Sequence, residues 1–224
     1  TLTSRRKLFE EMQREYEGFS KAVRVVMQEK NRSLRGIHGP VSTLIRTDDA
    51  YTVAIEIALG SAMQQIVVSD EQAAKAAIQY LKRSDSGRAT FLPLNVIRGK
   101  RLDERGIEAC RGFVGVASEL VSCDPIYQDI LSNLLGKTVI AQDMDAAIAI
   151  ANRYGHRFRL VTLDGQVLNA GGAMTGGSVS RSAGILSRAN ELERLRTQQT
   201  QTQEQLDKLR TELAEAERLT AEVT

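Results

Sequence analysis

The run Asn169-Ala170-Gly171-Gly172-Ala173-Met174-Thr175-Gly176-Gly177 decides how this chain is read. Four glycines fall within seven positions, just after the strand-like Arg159-Leu160-Val161-Thr162-Leu163 and the turn Asp164-Gly165. Glycine allows φ > 0 and lets two backbones approach closely. Such a run at the end of a globular region marks a turn, a phosphate cradle or a close backbone contact. The sequence on either side favours the third, a strand edge that meets a second copy of the chain.

Working outward, 224 residues with 42% hydrophobic content suffice for the core of one or two domains. The 30 basic residues nearly balance the 28 acidic ones, so a nucleic-acid site has to come from local clustering rather than net charge. Cys110 and Cys123 are the only cysteines. That pattern fits a reduced, cytoplasmic protein without a disulfide framework. No stretch has the length and apolarity of a membrane span, and no signal peptide is evident. The chain starts on Thr1, and both ends fall within helical patterning, so an excised piece of a longer protein is expected.

At the N-terminus, Leu8, Met12, Tyr16, Phe19, Val23 and Val26 recur at steps of 4, 4, 3, 4 and 3, predicting one helix over 4–31 with Gly18 as a weak spot. At the other end, Leu192, Leu195, Gln199, Thr202, Leu206, Leu209, Leu213, Ala216 and Thr220 alternate at steps of 3 and 4, which is a heptad seam. Two long helices around a globular insert predict an intramolecular antiparallel coiled coil.

The insert alternates short apolar runs with helical ones. A helix over 50–59 closes at Gly60, the strand Ile66-Val67-Val68 follows, and Ser69 or Asp70 caps a helix through Arg83. Ala89–Leu92 is a second strand. The pattern then repeats at an offset of 73: Gly39 with Gly112, Ile66-Val67 with Val139-Ile140, Asp70 with Asp143, and Ala73-Ala74 with Ala146-Ala147. Near the end the offset becomes 71, aligning Arg88 with Arg159 and Leu92 with Leu163. The expected fold class is therefore α+β. Two pseudo-repeated αβ lobes, 34–110 and 111–180, are inserted between coiled-coil helices at 1–33 and 181–224.

Little of this assembles a reaction. Gly136-Lys137-Thr138 resembles the end of a phosphate-binding loop, but Leu131 stands where that loop needs its first glycine, and a strand follows instead of a helix. His38 and His156 lack any metal-ligand spacing, so no metal and no cofactor are expected. Cys110 and Cys123 read as small core residues. Two basic groups remain. Arg98, Lys100, Arg101, Arg105 and Arg111 lie in one linker; Lys30, Arg32 and Arg35 leave the first helix, and Arg181 and Arg188 enter the last. If the helices pair, the second group converges at their neck, where it could hold phosphates by counterion release. A solvated surface is the plain alternative.

The combination of Gly171-Gly172-Ala173-Met174-Thr175-Gly176-Gly177 with Gly87-Arg88-Ala89-Thr90-Phe91-Leu92-Pro93-Leu94, Gly36-Ile37-His38-Gly39 and Val161-Thr162-Leu163-Asp164-Gly165 resembles the hinge of bacterial structural maintenance of chromosomes (SMC) proteins. The resemblance covers essentially the whole chain. It implies a ring-shaped homodimer in which lobe one of each protomer meets lobe two of the other, with Gly171, Gly172, Thr175, Gly176 and Gly177 at the interface. It implies no catalysis in this chain, since nucleotide would bind at distant ATPase heads. It also implies sequence-independent DNA binding near the hinge–arm junction, with Lys30, Arg32, Arg35, Arg98, Lys100, Arg101, Arg181 and Arg188 as candidates. Condensin-type accessory subunits and a nucleoid-associated, cytoplasmic location go with the full-length relatives. The competing readings are a module that is primarily DNA-binding and a small αβ nucleotide-binding enzyme.

Overall fold

The single helix expected over 4–31 is two helices. In the computed structural model, which describes residues 2–178 and 184–222, α1 (Leu2–Arg14) stops and α2 (Lys21–Glu29) starts afresh. Glu17 N–H donates to Met12 O (2.9 Å) and Tyr16 N–H to Gln13 O (3.2 Å), the paired bonds of a Schellman stop. The left-handed residue in it is Tyr16 (φ 53°), not a glycine, so the sequence pattern runs straight through. Ser20 then caps α2 through Val23 N–H (3.4 Å). Ala22, Val23, Val26 and Met27 of α2 are buried in the globular unit, residues 18–187, rather than in an arm.

The second unit comprises residues 1–17 and 188–224 and contains α1 and most of α8 (Ile185–Glu222). Leu192 and Leu195 of the heptad seam are buried, whereas Leu206, Leu209 and Leu213 are 39%, 64% and 60% exposed. At 1.5 Å per residue, the 13 residues of α1 cannot cover a 38-residue helix. Arg5–Glu191 and Arg196–Glu10, both 3.3 Å, join the helices. Arg188 to Glu17 O (3.3 Å) and Arg196 to Glu10 (3.3 Å) ascend α8 while descending the N-terminal segment, which is the antiparallel sense. The side chains of Ala216 and Thr220 lie outside the described set.

Within the globular unit the first lobe runs β1 (Ile37–Pro40), α3 (Val41–Leu44), β2 (Ile45–Thr47), α4 (Thr52–Leu59), β3 (Ile66–Val68), α5 (Glu71–Arg83) and β4 (Phe91–Pro93). The second runs β5 (Phe113–Val116), β6 (Val121–Cys123), α6 (Gln128–Leu135), β7 (Thr138–Ala141), α7 (Met144–Arg153), β8 (Arg159–Thr162), β9 (Val167–Leu168) and β10 (Met174–Thr175). The sheets are ordered β1-β3-β4 and β10-β9-β8-β7-β5, and β2 pairs with β6 across the lobes. Asp70 and Asp143 cap α5 and α7 through Ala73 and Ala146 N–H, both at 2.8 Å, as the sequence predicts.

The repeat is real, but its spacing needs correcting. β1 pairs with β3 as β5 pairs with β7, and each has a bulge; the equivalents are Gly39 with Gly115 and Pro40 with Val116, 76 apart. Gly112 therefore matches Gly36, not Gly39. Gly36 O accepts from Ser69 N–H and Gly112 O from Gln142 N–H, both at 2.8 Å. Helices α4 (52–59) and α6 (128–135) share the offset of 76. Gly60 matches Gly136, but the helical turn that follows it, through Gln64, is absent from the second lobe, and the shorter connection reduces the offset to 73. The parallel pairs then align 91, 92 and 93 with 160, 161 and 162, an offset of 69 rather than 71. The shorter α7 and loop account for that change.

The lobes are also fused. Val41, Ile45, Ile55, Leu59, Val67 and Leu92 of the first share one buried cluster with Ile130, Leu131, Leu135, Ile140 and Val161 of the second. In the β2–β6 ribbon, Ile45, Arg46 and Thr47 face Cys123, Ser122 and Val121. At offset 76, Arg46 corresponds to Ser122, the residue it pairs with. A pseudo-twofold axis therefore passes through that pair, as in an isologous contact.

Gly112 combines φ +76° with an added Cβ that would overlap the Ala146 Cβ, whereas at Gly155 (φ +64°) nothing lies within 4 Å. Gly155→Ala should cost about 1 kcal/mol for the left-handed backbone, and Gly112→Ala about 1–3 kcal/mol more for overpacking. Urea unfolding of the two variants checks this; equal costs would rule out the close approach.

Candidate functional site

The glycine run is a hairpin turn and the sheet edge that follows it. Asp164-Gly165 turns β8 into β9: Thr162, fully buried, hydrogen-bonds the Asp164 carboxylate, and its hydroxyl accepts from Gln166 N–H (2.8 Å). β9 then turns into β10 through 169–173, where Asn169 N–H donates to Ala173 O (2.8 Å) and Gly172 N–H to Asn169 O (2.9 Å). Gly171 (φ 85°) and Gly172 (φ 98°) are conformationally required there. Gly171 N–H also donates to His156 O at 2.8 Å. Two of the glycines singled out thus have a reason within their own chain.

Met174 faces Leu168, and Thr175 faces Val167. Because 169 and 173 form a hydrogen-bonded pair, antiparallel alternation turns Met174 N–H and C=O away from β9. The Met174 side chain is 54% exposed. β10 is thus an open edge.

The first lobe has its own open edge, β4. Ile66 N–H donates to Thr90 O and Leu94 N–H to Val68 O, both at 2.9 Å, so residues 90, 92 and 94 face β3. Phe91 and Pro93 then direct their backbone groups outward, and proline on the outer side of an edge strand fits its missing N–H. No hairpin extends β4. Arg98 donates from its guanidinium to the carbonyls of Ile97 (3.0 Å) and Asn95 (2.9 Å), folding 94–98 on itself. Gly99 N–H to Asp129 (2.9 Å), Asn133 to Arg98 O (2.9 Å) and Leu102 N–H to Gly136 O (2.7 Å) then strap the chain across α6.

The candidate cations fall into separate places. Arg32 and Arg35 are exposed in the turn after α2, where Lys30 Nζ is held by His38 O (2.6 Å). Lys100 and Arg101 are exposed on the strap. Arg188, in the second unit, donates to Glu17 O (3.3 Å), and Arg181 lies outside the described residues. Gly136-Lys137-Thr138 sits between α6 and β7, with Gly136 N–H closing the helix on Ser132 O (3.0 Å). Among the described residues, no group of three or more His, Cys, Asp or Glu could hold a metal ion, and no helix is long and apolar enough to cross a membrane. Both cysteines are half-buried; burial and, less, Asp124 push the Cys123 thiol up.

Two side chains to which the sequence reading gave no structural role, His38 and Glu56, join distant parts of the globular unit. His38 bridges Tyr127 Oη (2.9 Å) and Ser69 Oγ (3.2 Å), and burial followed by the Lys30 charge holds its imidazole below the usual range. Glu56 of α4 accepts from Leu186 N–H (2.7 Å) and Ser187 N–H (3.0 Å), capping the first turn of α8. A cap drawn from 130 residues away has no local sequence signature.

Comparison with known proteins agrees with this architecture. Residues 34–151 match the family model for the SMC proteins flexible hinge domain. The chain belongs to the SMC hinge family. The match assigns it to a flexible hinge rather than to a catalytic domain. The chain is 48% identical over 194 residues to the chromosome partition protein Smc of Bacillus subtilis, an alignment covering 85% of this chain and 16% of that protein. It spans about a sixth of the length of the curated relatives it matches. The Geobacillus stearothermophilus SMC hinge domain, solved as an asymmetric dimer, superposes with TM-score 0.85 at 45% identity over 93% of this chain and 84% of that one. The Pyrococcus furiosus Smc hinge domain with an extended coiled coil gives TM-score 0.60 at 32% identity, covering 99% of this chain and 77% of that one. The hinge-family match ends inside α7, before β8, β9, β10 and the glycine run.

Glu56→Ala should remove the long-range cap, costing about 1 kcal/mol and speeding hydrogen exchange at Leu186 and Ser187. Glu56→Gln keeps an acceptor and should recover most of the protection. Unchanged exchange in the alanine variant would show that the carboxylate does not hold the helix.

Proposed function

We propose that this chain is the homodimerisation hinge of an SMC chromosome-condensation and segregation ATPase, joining two long coiled-coil arms. The observation that carries the reading is the pair of open sheet edges, β4 in one lobe and β10 in the other. Strand addition of β10 from one copy onto β4 of a second would use the outward backbone groups of Met174, Phe91 and Pro93. The strands are only two and three residues long, so one contact supplies few hydrogen bonds. A twofold pair makes two such contacts, each closing the other at high effective concentration. Gly171, Gly172, Thr175, Gly176 and Gly177 line or follow that edge in this reading. ATP would be handled by head domains elsewhere in the full-length protein. A cytoplasmic, nucleoid-associated location and condensin-type accessory subunits belong to the same proposal.

Sequence-independent DNA binding accompanies it, supported by the exposure of Arg32, Arg35, Lys100 and Arg101. These cations can neutralise phosphates without reading bases.

Replacing the turn glycines would deform the hairpin as well as any interface, so Met174→Lys is the cleaner test. A charge on the edge opposes strand addition. Sedimentation equilibrium should show a dimer for the native chain and an affinity at least about tenfold weaker (about 1.4 kcal/mol) for a folded variant. A native chain that stays monomeric at high micromolar concentration would end the reading. For DNA, changing Arg32, Arg35, Lys100 and Arg101 together to Gln should flatten the slope of log K against log salt by about 3–4. An unchanged slope leaves those cations as solvated surface.

A further inference from the structure

β10 is two residues long, and the backbone beyond it has no strand to lean on. It leans instead on a side chain. The Gln166 amide faces Gly177 on both sides: Gly177 N–H donates to Gln166 Oε1 (2.8 Å), and Gln166 Nε2 donates to Gly177 O (3.1 Å). One donor and one acceptor on one residue is what a neighbouring strand offers in an antiparallel ladder. Gln166 is itself held. Its N–H is bound by the buried Thr162 hydroxyl (2.8 Å), and its carbonyl accepts from Thr162 N–H (2.9 Å). Its Nε2 also lies 3.5 Å from the Asp164 carboxylate, which binds the same hydroxyl. Gly176 completes the arrangement. A Cβ there would overlap Gln166 Oε1, although the Gly176 backbone lies outside the left-handed region.

We propose that the Gln166 side-chain amide acts as a surrogate strand, holding Gly176-Gly177 in line with β10 and so presetting the edge on which a second copy docks. The dimer part rests on the proposed function above. Gln166 is a positioning residue: it orders the segment before docking, so the second copy does not have to. Pre-ordering of this kind strengthens association without adding a contact across the interface. It also gives Gly176 an origin different from the one expected from sequence, because the group that a side chain there would displace, the Gln166 amide, belongs to the same chain.

The test is a double-mutant cycle between Gln166→Ala and Gly176→Ala, with the native chain, both single variants and the pair. Sedimentation equilibrium gives dimer affinity, hydrogen exchange gives the Gly177 amide, and urea unfolding gives global stability. Gln166→Ala should speed Gly177 exchange by at least tenfold and weaken the dimer by about tenfold, with the unfolding midpoint little changed. Gly176→Ala should weaken the dimer in the native background and have little further effect once Gln166 is alanine. If Gly176→Ala costs the same in both backgrounds, the glycine is answering to the second copy and the inference fails. Unchanged Gly177 exchange in Gln166→Ala overturns it as well. A native chain that never dimerises refutes the dimer reading instead, and the exchange result still decides whether Gln166 holds the segment.

Discussion

The β2–β6 ribbon is the contact on which the rest of the globular unit depends. It places Arg46 opposite Ser122, its own equivalent in the other lobe. Once that pair is formed, β1, β2, α4, β3, α5 and β4 have counterparts β5, β6, α6, β7, α7 and β8 in the same order, and α4 lies in contact with α6. The consequence is energetic as well as geometric. Neither three-stranded β1-β3-β4 nor its counterpart buries its apolar side alone, because Val67 and Leu92 share a cluster with Ile140 and Val161. A small lobe buries too little surface to be stable by itself; here two lobes pool one core.

Symmetry breaks where the chain leaves β4 and β8, and the break creates the two unlike edges. After β8, the Thr162–Asp164 turn reverses the chain into a hairpin that adds two strands. After β4, Arg98 draws the carbonyls of 95 and 97 onto its guanidinium, and the chain departs across α6. One lobe therefore presents an added strand, and the other presents a bare one. Two identical bare edges would serve a symmetric contact at one site; unlike edges on one chain suit a pair of equivalent contacts between two copies.

The parts of this fold legible in sequence were those with local signatures. Asp70 and Asp143 announced their helices, and the apolar runs 66–68 and 138–141 announced the central strands. The duplication was visible but misregistered, because Gly39 and Gly112 coincide at the offset of the α5 and α7 caps while the structural equivalences are Gly36–Gly112 and Gly39–Gly115. Leu44 with Leu120, Asp48 with Asp124, Tyr51 with Tyr127 and Gly60 with Gly136 all stand at the correct spacing of 76 and carried the missing signal. The break between the first two helices was signalled only by Gly18 (φ 90°), because a non-glycine residue, Tyr16, took the left-handed position that ends α1. At the glycine run, the edge was legible and the reasons for individual glycines were not. They depend on Gln166 and on the hairpin, which are contacts rather than patterns.

Charge was the least readable feature, for a physical reason. A guanidinium or an ammonium carries several donors and can satisfy backbone carbonyls that the fold leaves unpaired. Arg98 and Lys30 do this, and so count less toward a phosphate surface than their place in the sequence suggests. The strongest case is Arg159, which attracted no functional reading. From β8 it donates to Ala58 O (2.9 Å) and Ile57 O (3.2 Å) at the end of α4. Cationic donors complement the negative end of a helix, and burial lowers the tendency of that guanidinium to stay protonated. The same helix sends Glu56 to the start of α8. α4 is thus tied to the second lobe by one charged side chain and to the outgoing helix by another. Both attachments leave α4 within three consecutive residues, Glu56 to Ala58, at its C-terminal end.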